Sequence, residues 1–221
     1  MLLGIEGYIF DLDGVIVDTA KYHYSAWKKL AHRLGFDFQE DENERLKGVS
    51  RTRALEILLD IGGIKAINPE EKRALADLKN SWYQEYILRM ETSEILPGVL
   101  PFLRELRKRT IKIALGSASK NAVTILDKLN LMAYFDVIVD GNKVTKAKPD
   151  PEVFLLAAKL LNLSPEKCIV FEDAFSGIEA AKSAGMYAVG IGSPQVLYQA
   201  DLVFPSLEKI TIDSIEKALS L

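Results

Sequence analysis

Asp11 and Asp13 stand two residues apart in Phe10-Asp11-Leu12-Asp13-Gly14-Val15-Ile16-Val17-Asp18-Thr19, directly behind the apolar run Tyr8-Ile9-Phe10. In an extended chain residues two apart leave on the same face, so the two carboxylates are expected to converge on one point. Carboxylates that close repel each other unless a cation sits between them or one of them holds a proton. Either outcome serves an enzyme: with a divalent metal bound, one carboxylate can ligate it and attack an electrophile while the other handles a proton. The plainer alternative is a strand end followed by an Asp-Gly turn.

Three further clusters follow in order. Ile111-Lys112-Ile113-Ala114-Leu115 is strand-like and ends in Gly116-Ser117-Ala118-Ser119-Lys120-Asn121. A serine there can cap a helix beginning near Lys120, and a helix N-terminus also attracts anions. Lys146-Ala147-Lys148-Pro149-Asp150-Pro151 offers two cations, of which Lys146 reads as the solvated one. Cys168-Ile169-Val170-Phe171 is another buried-looking run, ending in Glu172-Asp173 and followed by Ala174-Phe175-Ser176-Gly177-Ile178-Glu179-Ala180-Ala181. An isolated acidic pair at such a place would be a helix N-cap.

Apolar strands that end in polar residues are expected to open into a crevice at the carboxyl edge of a sheet, where open α/β sheets hold their ligands. After Leu96-Pro97-Gly98 helical and strand patterns alternate to the C-terminus, as in a parallel sheet with helical crossovers. Residues from about Ala20 to Glu91 read as helical, with amphipathic blocks around Tyr24–Leu34 and Glu71–Lys79 and breaks at Gly35, Gly62-Gly63 and Asn68-Pro69. The expected fold is α/β: a Rossmann-like three-layer core with a parallel sheet from 1–16 and 95–221, and an inserted helical domain from 17–94. The end of the first motif and Ile95-Leu96-Pro97-Gly98 would be its two hinge strands.

A chain of 221 residues with 48% hydrophobic and 27% charged residues reads as an ordinary globular protein. A net charge of −3 speaks against a nucleic-acid partner, and no stretch approaches the length of a membrane span. The single cysteine, Cys168, reads as core packing, and the N-terminal residues lack an export pattern, so a cytoplasmic protein is expected.

The pattern D-x-D-G-x-[ILV]-x-D-[ST] behind an N-terminal strand, followed in order by the serine, lysine-proline and Glu-Asp blocks, resembles the haloacid dehalogenase superfamily of phosphotransferases along essentially the whole chain. By that resemblance Asp11 is the nucleophile that forms an aspartyl-phosphate and Asp13 the general acid/base. Ser117 and neighbouring backbone N–H groups would hold the transferring phosphoryl oxygens, and Lys148 would neutralise charge there. Asp173 would ligate Mg²⁺ beside Asp11 and the backbone carbonyl of Asp13, with Glu172 a supporting or alternative ligand. The inserted helical segment resembles a cap that closes over the phosphate, excludes water and selects the rest of the substrate.

The cap resembles most closely that of the superfamily's hexose-phosphate mutases, through Leu46-Lys47-Gly48-Val49-Ser50-Arg51, Asp18-Thr19-Ala20-Lys21-Tyr22-His23, Trp27 and Leu78-Lys79-Asn80. There Arg51 would clamp the distal phosphate, and Leu46, Lys47 and Gly48 would meet the sugar. His23 and Lys79 would assist closure and proton transfer, while Trp27 reads equally as cap core. Ala118, Ser119, Lys120 and Asn121 would complete the phosphate contacts. The implied enzyme is a monomer that interconverts β-glucose 1-phosphate and 6-phosphate, with Mg²⁺ as cofactor and glucose 1,6-bisphosphate as activator and intermediate. A sugar-phosphate or phosphoglycolate phosphatase shares the core motifs, a phosphonate hydrolase would use Lys47 or Lys79 as a Schiff base, and a binding protein would keep the fold alone. Gly116 departs from the pattern, and its backbone freedom could shift the phosphate loop.

Overall fold

The computed structural model describes residues 4–46 and 49–219. The chain divides into two compact units, one made of the residues up to Asp18 together with those from Glu91 onward, the other spanning Thr19–Met90.

The first unit is built on a parallel sheet. Its strands are β1 (Gly7–Phe10), β2 (Lys112–Gly116), β3 (Val137–Val139), β4 (Cys168–Glu172), β5 (Tyr187–Ile191) and β6 (Leu202–Phe204), in the order β3-β2-β1-β4-β5-β6. This is the order of an open doubly wound sheet, and the place where it reverses, around β1, is where such sheets bind ligands. Register sharpens the point. Phe10 pairs with Leu115 on one side and Phe171 on the other, so Asp11, Gly116 and Glu172 leave the sheet at one level.

β1 is buried along its whole length because both faces are covered. On one face Phe10 and Phe171 stack with centroids 4.7 Å apart, and Phe102 meets both rings edge-on. On the other, Ile9, Ala114 and Val170 pack with Phe154, Ala157 and Ile178 from the crossover helices. The strand that leads into the site is thus held by its backbone ladders to β2 and β4 and by aromatic and aliphatic burial on both faces.

The second unit is helical: α1 (Ala20–Arg33), the short α2 (Glu40–Asn43), α3 (Arg51–Ile61) and α4 (Pro69–Ile87). Ser50 caps α3 by accepting the Arg53 N–H, and Asn68 with Glu71 forms a reciprocal capping box ahead of Pro69, which opens α4. Trp27, Leu30, Phe38, Leu46, Leu55 and Leu58 form its core. The remaining helices, α5 (Val99–Lys108), α6 (Ala122–Lys128), α7 (Glu152–Leu161), α8 (Phe175–Ser183) and α9 (Ile212–Leu219), belong to the first unit.

Where the chain leaves and re-enters the first unit, Val17 and Ile95 form an antiparallel bridge and the Leu96 N–H donates to the Ile16 carbonyl at 3.0 Å. The expected hinge strands are therefore one bridged pair of residues rather than two strands. Among the described residues no helix is long and apolar enough to cross a membrane.

Candidate active site

Asp11 follows β1, and its carboxylate is held by Lys148: Nζ lies 2.5 Å from Asp11 Oδ1 and also bonds Glu172 Oε1 at the end of β4. All three side chains are nearly sealed from water, with 7% of Lys148, 9% of Asp11 and 1% of Glu172 exposed. Burial alone would lower the lysine's proton affinity, but the two carboxylates outweigh it and hold the ammonium above its ordinary range. Glu172 has its proton affinity raised, by burial first and the Asp11 charge next, against the opposing pull of Lys148 and the Ala174 N–H. Beneath the ammonium the Phe154 ring sits with its centroid 4.8 Å away.

The extended chain stops at Phe10, so the simple alternation expected to bring Asp11 and Asp13 together does not apply. A tight loop follows instead: the Ile16 and Val17 N–H groups both donate to the Leu12 carbonyl, the Gly14 N–H donates to the Val17 carbonyl at 2.7 Å, and the charge of Asp13 is felt by Asp173. Gly14 sits at φ +77°, and a Cβ there would overlap the Asp173 carboxylate. Asp173 is the most exposed of the acids, yet desolvation by its surroundings, then the charges of Glu172, Asp11 and Asp13, push its pKa up to about 8. Gly177, in the first turn of α8, leaves the corresponding room for the Glu172 carboxylate.

Ser117 is buried directly after β2, its N–H donating to the Val139 carbonyl at 2.9 Å. Its Oγ accepts the Ser119 N–H at 3.1 Å, and Ser119 Oγ accepts the Asn121 N–H, so the serines fold their own loop instead of capping α6, which starts later than expected, at Ala122. That bond uses an oxygen lone pair of Ser117 and leaves the hydroxyl hydrogen as a donor. Ala118 and Lys120 are exposed, and Asn121 is buried. Gly116 does not loosen this loop: it ends β2, and the Phe154 ring fills the space a side chain would take.

Sequence reasoning missed the residues that brace the loop from behind. Asn142 Nδ2 donates to the Lys120 carbonyl at 3.0 Å and to Asp140 Oδ2 at 2.9 Å, while the Gly141 N–H reaches the Ser119 carbonyl. The usable signal was the Asp-Gly-Asn turn after the β3 pattern.

In the helical unit Lys79 is 3% exposed, its ammonium 2.8 Å from His23 Nδ1 and 4.4 Å from the centre of the Trp27 ring. Trp27 and Leu46 are buried in the unit's core. Arg51, at the start of α3, is half-buried and lies 3.9 Å from Asp77, too far for a tight pair; burial lowers its proton affinity somewhat. Lys47 and Gly48 lie outside the described residues.

Asp11, Glu172 and Asp173 can each bring a carboxylate oxygen within 4.8 Å of the others. With one buried lysine among the crowded acids, the cluster carries surplus negative charge, which adds to desolvation in raising the proton affinity of Asp173. An all-oxygen, anionic donor set of this kind fits a hard divalent cation such as Mg²⁺. The carboxylate of Asp11, held by the Lys148 ammonium, has the chemistry of a nucleophile toward an electrophilic centre.

The family profile of haloacid dehalogenase-like hydrolases matches residues 5–185. A β-phosphoglucomutase of Bacillus subtilis is 45% identical over 210 residues, 95% of this chain and 93% of that one. A phosphorylated carbohydrates phosphatase of Thermotoga maritima is 38% identical over 82% of each chain. Among solved structures, a β-phosphoglucomutase from Clostridium difficile superposes with a TM-score of 0.92 at 44% identity, covering 98% of this chain and 97% of that one. With Asp11, Lys148, the serine loop and the acidic cluster gathered at the carboxyl ends of its parallel strands, the chain belongs to the haloacid dehalogenase-like hydrolase family.

Proposed function

We propose that this chain is an enzyme that catalyses the β-phosphoglucomutase reaction, moving a phosphoryl group between the 1 and 6 positions of β-glucose phosphate. The observation that carries this reading is the 45% identity to the B. subtilis mutase over 95% of the chain, a span that takes in the helical unit as well as the phosphoryl-transfer core.

In the first half-reaction Asp11 accepts a phosphoryl group from glucose 1,6-bisphosphate. Its carboxylate oxygen bonds to phosphorus, the ester P–O bond breaks, and Asp13 gives its proton to the departing sugar oxygen. In the second, a hydroxyl of a hexose monophosphate gives its proton to Asp13 and attacks the aspartyl-phosphate, which restores the Asp11 carboxylate. Lys148 and the donors around Ser117 meet the charge on the moving group. Asp11, Asp173, the Asp13 carbonyl and, as an alternative, Glu172 would hold Mg²⁺, which when bound supplies positive charge beside the transferring oxygens. Arg51 takes the distal phosphate, a task suited to a guanidinium fork, while His23 and Lys79 serve selection and proton positioning from the helical unit. Ala118, Ser119, Lys120 and Asn121 add phosphate contacts, and Leu46, Lys47 and Gly48 meet the sugar.

A second reading, a phosphatase acting on phosphorylated carbohydrates, is favoured by the likeness to the T. maritima enzyme. Phosphorus NMR with Mg²⁺, β-glucose 1-phosphate and a trace of glucose 1,6-bisphosphate separates the two. Glucose 6-phosphate that disappears in Asp11→Asn and forms more slowly in Arg51→Ala marks the mutase; free phosphate without glucose 6-phosphate marks the phosphatase.

A further inference from the structure

Lys148 stands in the middle of a loop that is tied shut at its base by a residue outside the four sequence clusters' chemistry. Glu152, in the first turn of α7, accepts the Thr145 N–H at 2.9 Å and the Lys146 N–H at 2.6 Å through Oε2. The Thr145 hydroxyl lies 3.2 and 3.1 Å from its two carboxylate oxygens. On the far side of Lys148, the Asp150 N–H donates to the Ala147 carbonyl at 3.0 Å, and Asp150 Oδ1 accepts the Glu152 N–H at 3.0 Å. One helix turn later, Phe154 packs under the Lys148 ammonium and into the space beside Gly116.

Both flanks of residue 148 are therefore pinned to the start of α7, and α7 is pinned to the sheet by Val153, Phe154 and Ala157 in the core. A lysine has four rotatable side-chain bonds and loses much freedom on burial, so nothing in the side chain itself aims it. Its two flanking segments do.

We infer that Glu152 is a positioning residue for phosphoryl transfer: by gripping the backbone of Thr145 and Lys146 it sets where Lys148 enters the Asp11–Glu172 pair. Two backbone N–H groups bonded to one carboxylate form charge-assisted bonds, stronger than neutral ones, and their loss frees the segment that carries Lys148. A misplacement of about 1 Å in such a constellation costs on the order of 100-fold in rate. Glu152 touches neither Asp11 nor Glu172, and its effect runs through Lys148.

The inference rests on the phosphoryl-transfer reading, so the test has one readout that needs no turnover. The full chain, labelled with ¹⁵N-lysine, is compared as parent, Glu152→Gln and Glu152→Ala by NMR of the lysine ammonium groups. The Lys148 signal, identified by its absence in Lys148→Met, is expected to shift and exchange faster with water in Glu152→Ala, and to lie between parent and Ala in Glu152→Gln, which keeps one acceptor oxygen. In parallel, kcat for β-glucose 1-phosphate is expected to fall about 10- to 100-fold in Glu152→Ala with KM within about twofold. In a Lys148→Met background the same substitution should add little, because the two act as one unit. An unchanged Lys148 signal in folded Glu152→Ala, or rate losses that simply add, would overturn the inference. Should the parent show no turnover of sugar phosphate, the function reading fails alone and the Lys148 signal still decides this one.

Discussion

Lys79 Nζ donates to His23 Nδ1 across 2.8 Å, with the His23 ring lying against Tyr83 at a centroid distance of 4.1 Å and tilted by 30°. An ammonium has only donors, so the bond requires a neutral imidazole with its proton on Nε2. Burial first, then the charges of Lys79 and Arg51, hold the His23 pKa well below its ordinary value.

This depression fixes a pH effect. An unfolded His23 takes a proton near pH 6.5 and the folded one does not, so its contribution to stability is present above about 6.5 and lost as pH falls toward the lower folded pKa. Urea unfolding between pH 8 and pH 5 is expected to show a stability loss on the acid side that is smaller in His23→Gln. Equal acid sensitivity of the two proteins would refute it.

Lys148→Met should be the most damaging single change to the core. It leaves Asp11 and Glu172 buried without their shared cation. Breaking a buried pair by removing one partner costs about 3–5 kcal/mol, and losing a donor to the moving charge costs about 100- to 1000-fold in kcat. The stability deficit should shrink at acid pH, where Glu172, whose proton affinity burial raises, holds a proton and no longer needs the cation. Denaturant unfolding at pH 7 and pH 4.5, beside steady-state kinetics, reads both effects.

Two glycines make room for acids, and both should resist an added methyl group. Gly14→Ala must adopt φ near +77° and displace the Asp173 carboxylate; Gly177→Ala must displace Glu172. The positive φ alone costs about 1–2 kcal/mol. Thermal unfolding with and without Mg²⁺ should show lower midpoints for both, and for Gly14→Ala a smaller stabilisation by the metal than in the parent.

Arg51→Ala tests the helical unit separately. Among the described residues its half-buried guanidinium is paired with Asp77 at 3.9 Å, a loose contact that a phosphate can replace. The expected result is a rise of about 10- to 100-fold in KM for hexose monophosphates, equal to losing one bidentate charge-assisted contact of about 1.5–3 kcal/mol. Hydrolysis of acetyl phosphate, which lacks a distal phosphate, should stay within twofold.

The strand ends were legible because burial and chemistry change abruptly there: apolar runs break into Asp11, Gly116-Ser117 and Glu172, and the register puts Asp11, Gly116 and Glu172 at one level. The start of α4 was legible as the Asn68-Pro69 break, where Asn68 supplies the cap. What could not be read was the bracing. Glu152 and Asn142 act on backbone groups in other loops, and a side chain bonded to a distant carbonyl or N–H leaves no periodic trace. The Lys79–His23 contact is hidden for a related reason, since it joins residues 56 apart on two helices whose apolar faces alone are visible in the sequence.

β1 lies between β2 and β4, and its hydrogen-bonding partner on one side is made only when synthesis reaches Cys168. The helical unit draws on local contacts and can fold while that partner is still being made. The strand that leads into Asp11 is therefore made before both of its partners and, strongly apolar, stays unpaired until β2 is made and half-paired until β4 is made. Any nascent chain stopped before Cys168 carries Asp11 without the acids and lysine-bound glutamate that give it a task. Phosphoryl transfer thus begins only once synthesis has passed the fourth strand, and a chaperone that shields Tyr8-Ile9-Phe10 in the interval would protect the yield of active enzyme more than its final stability.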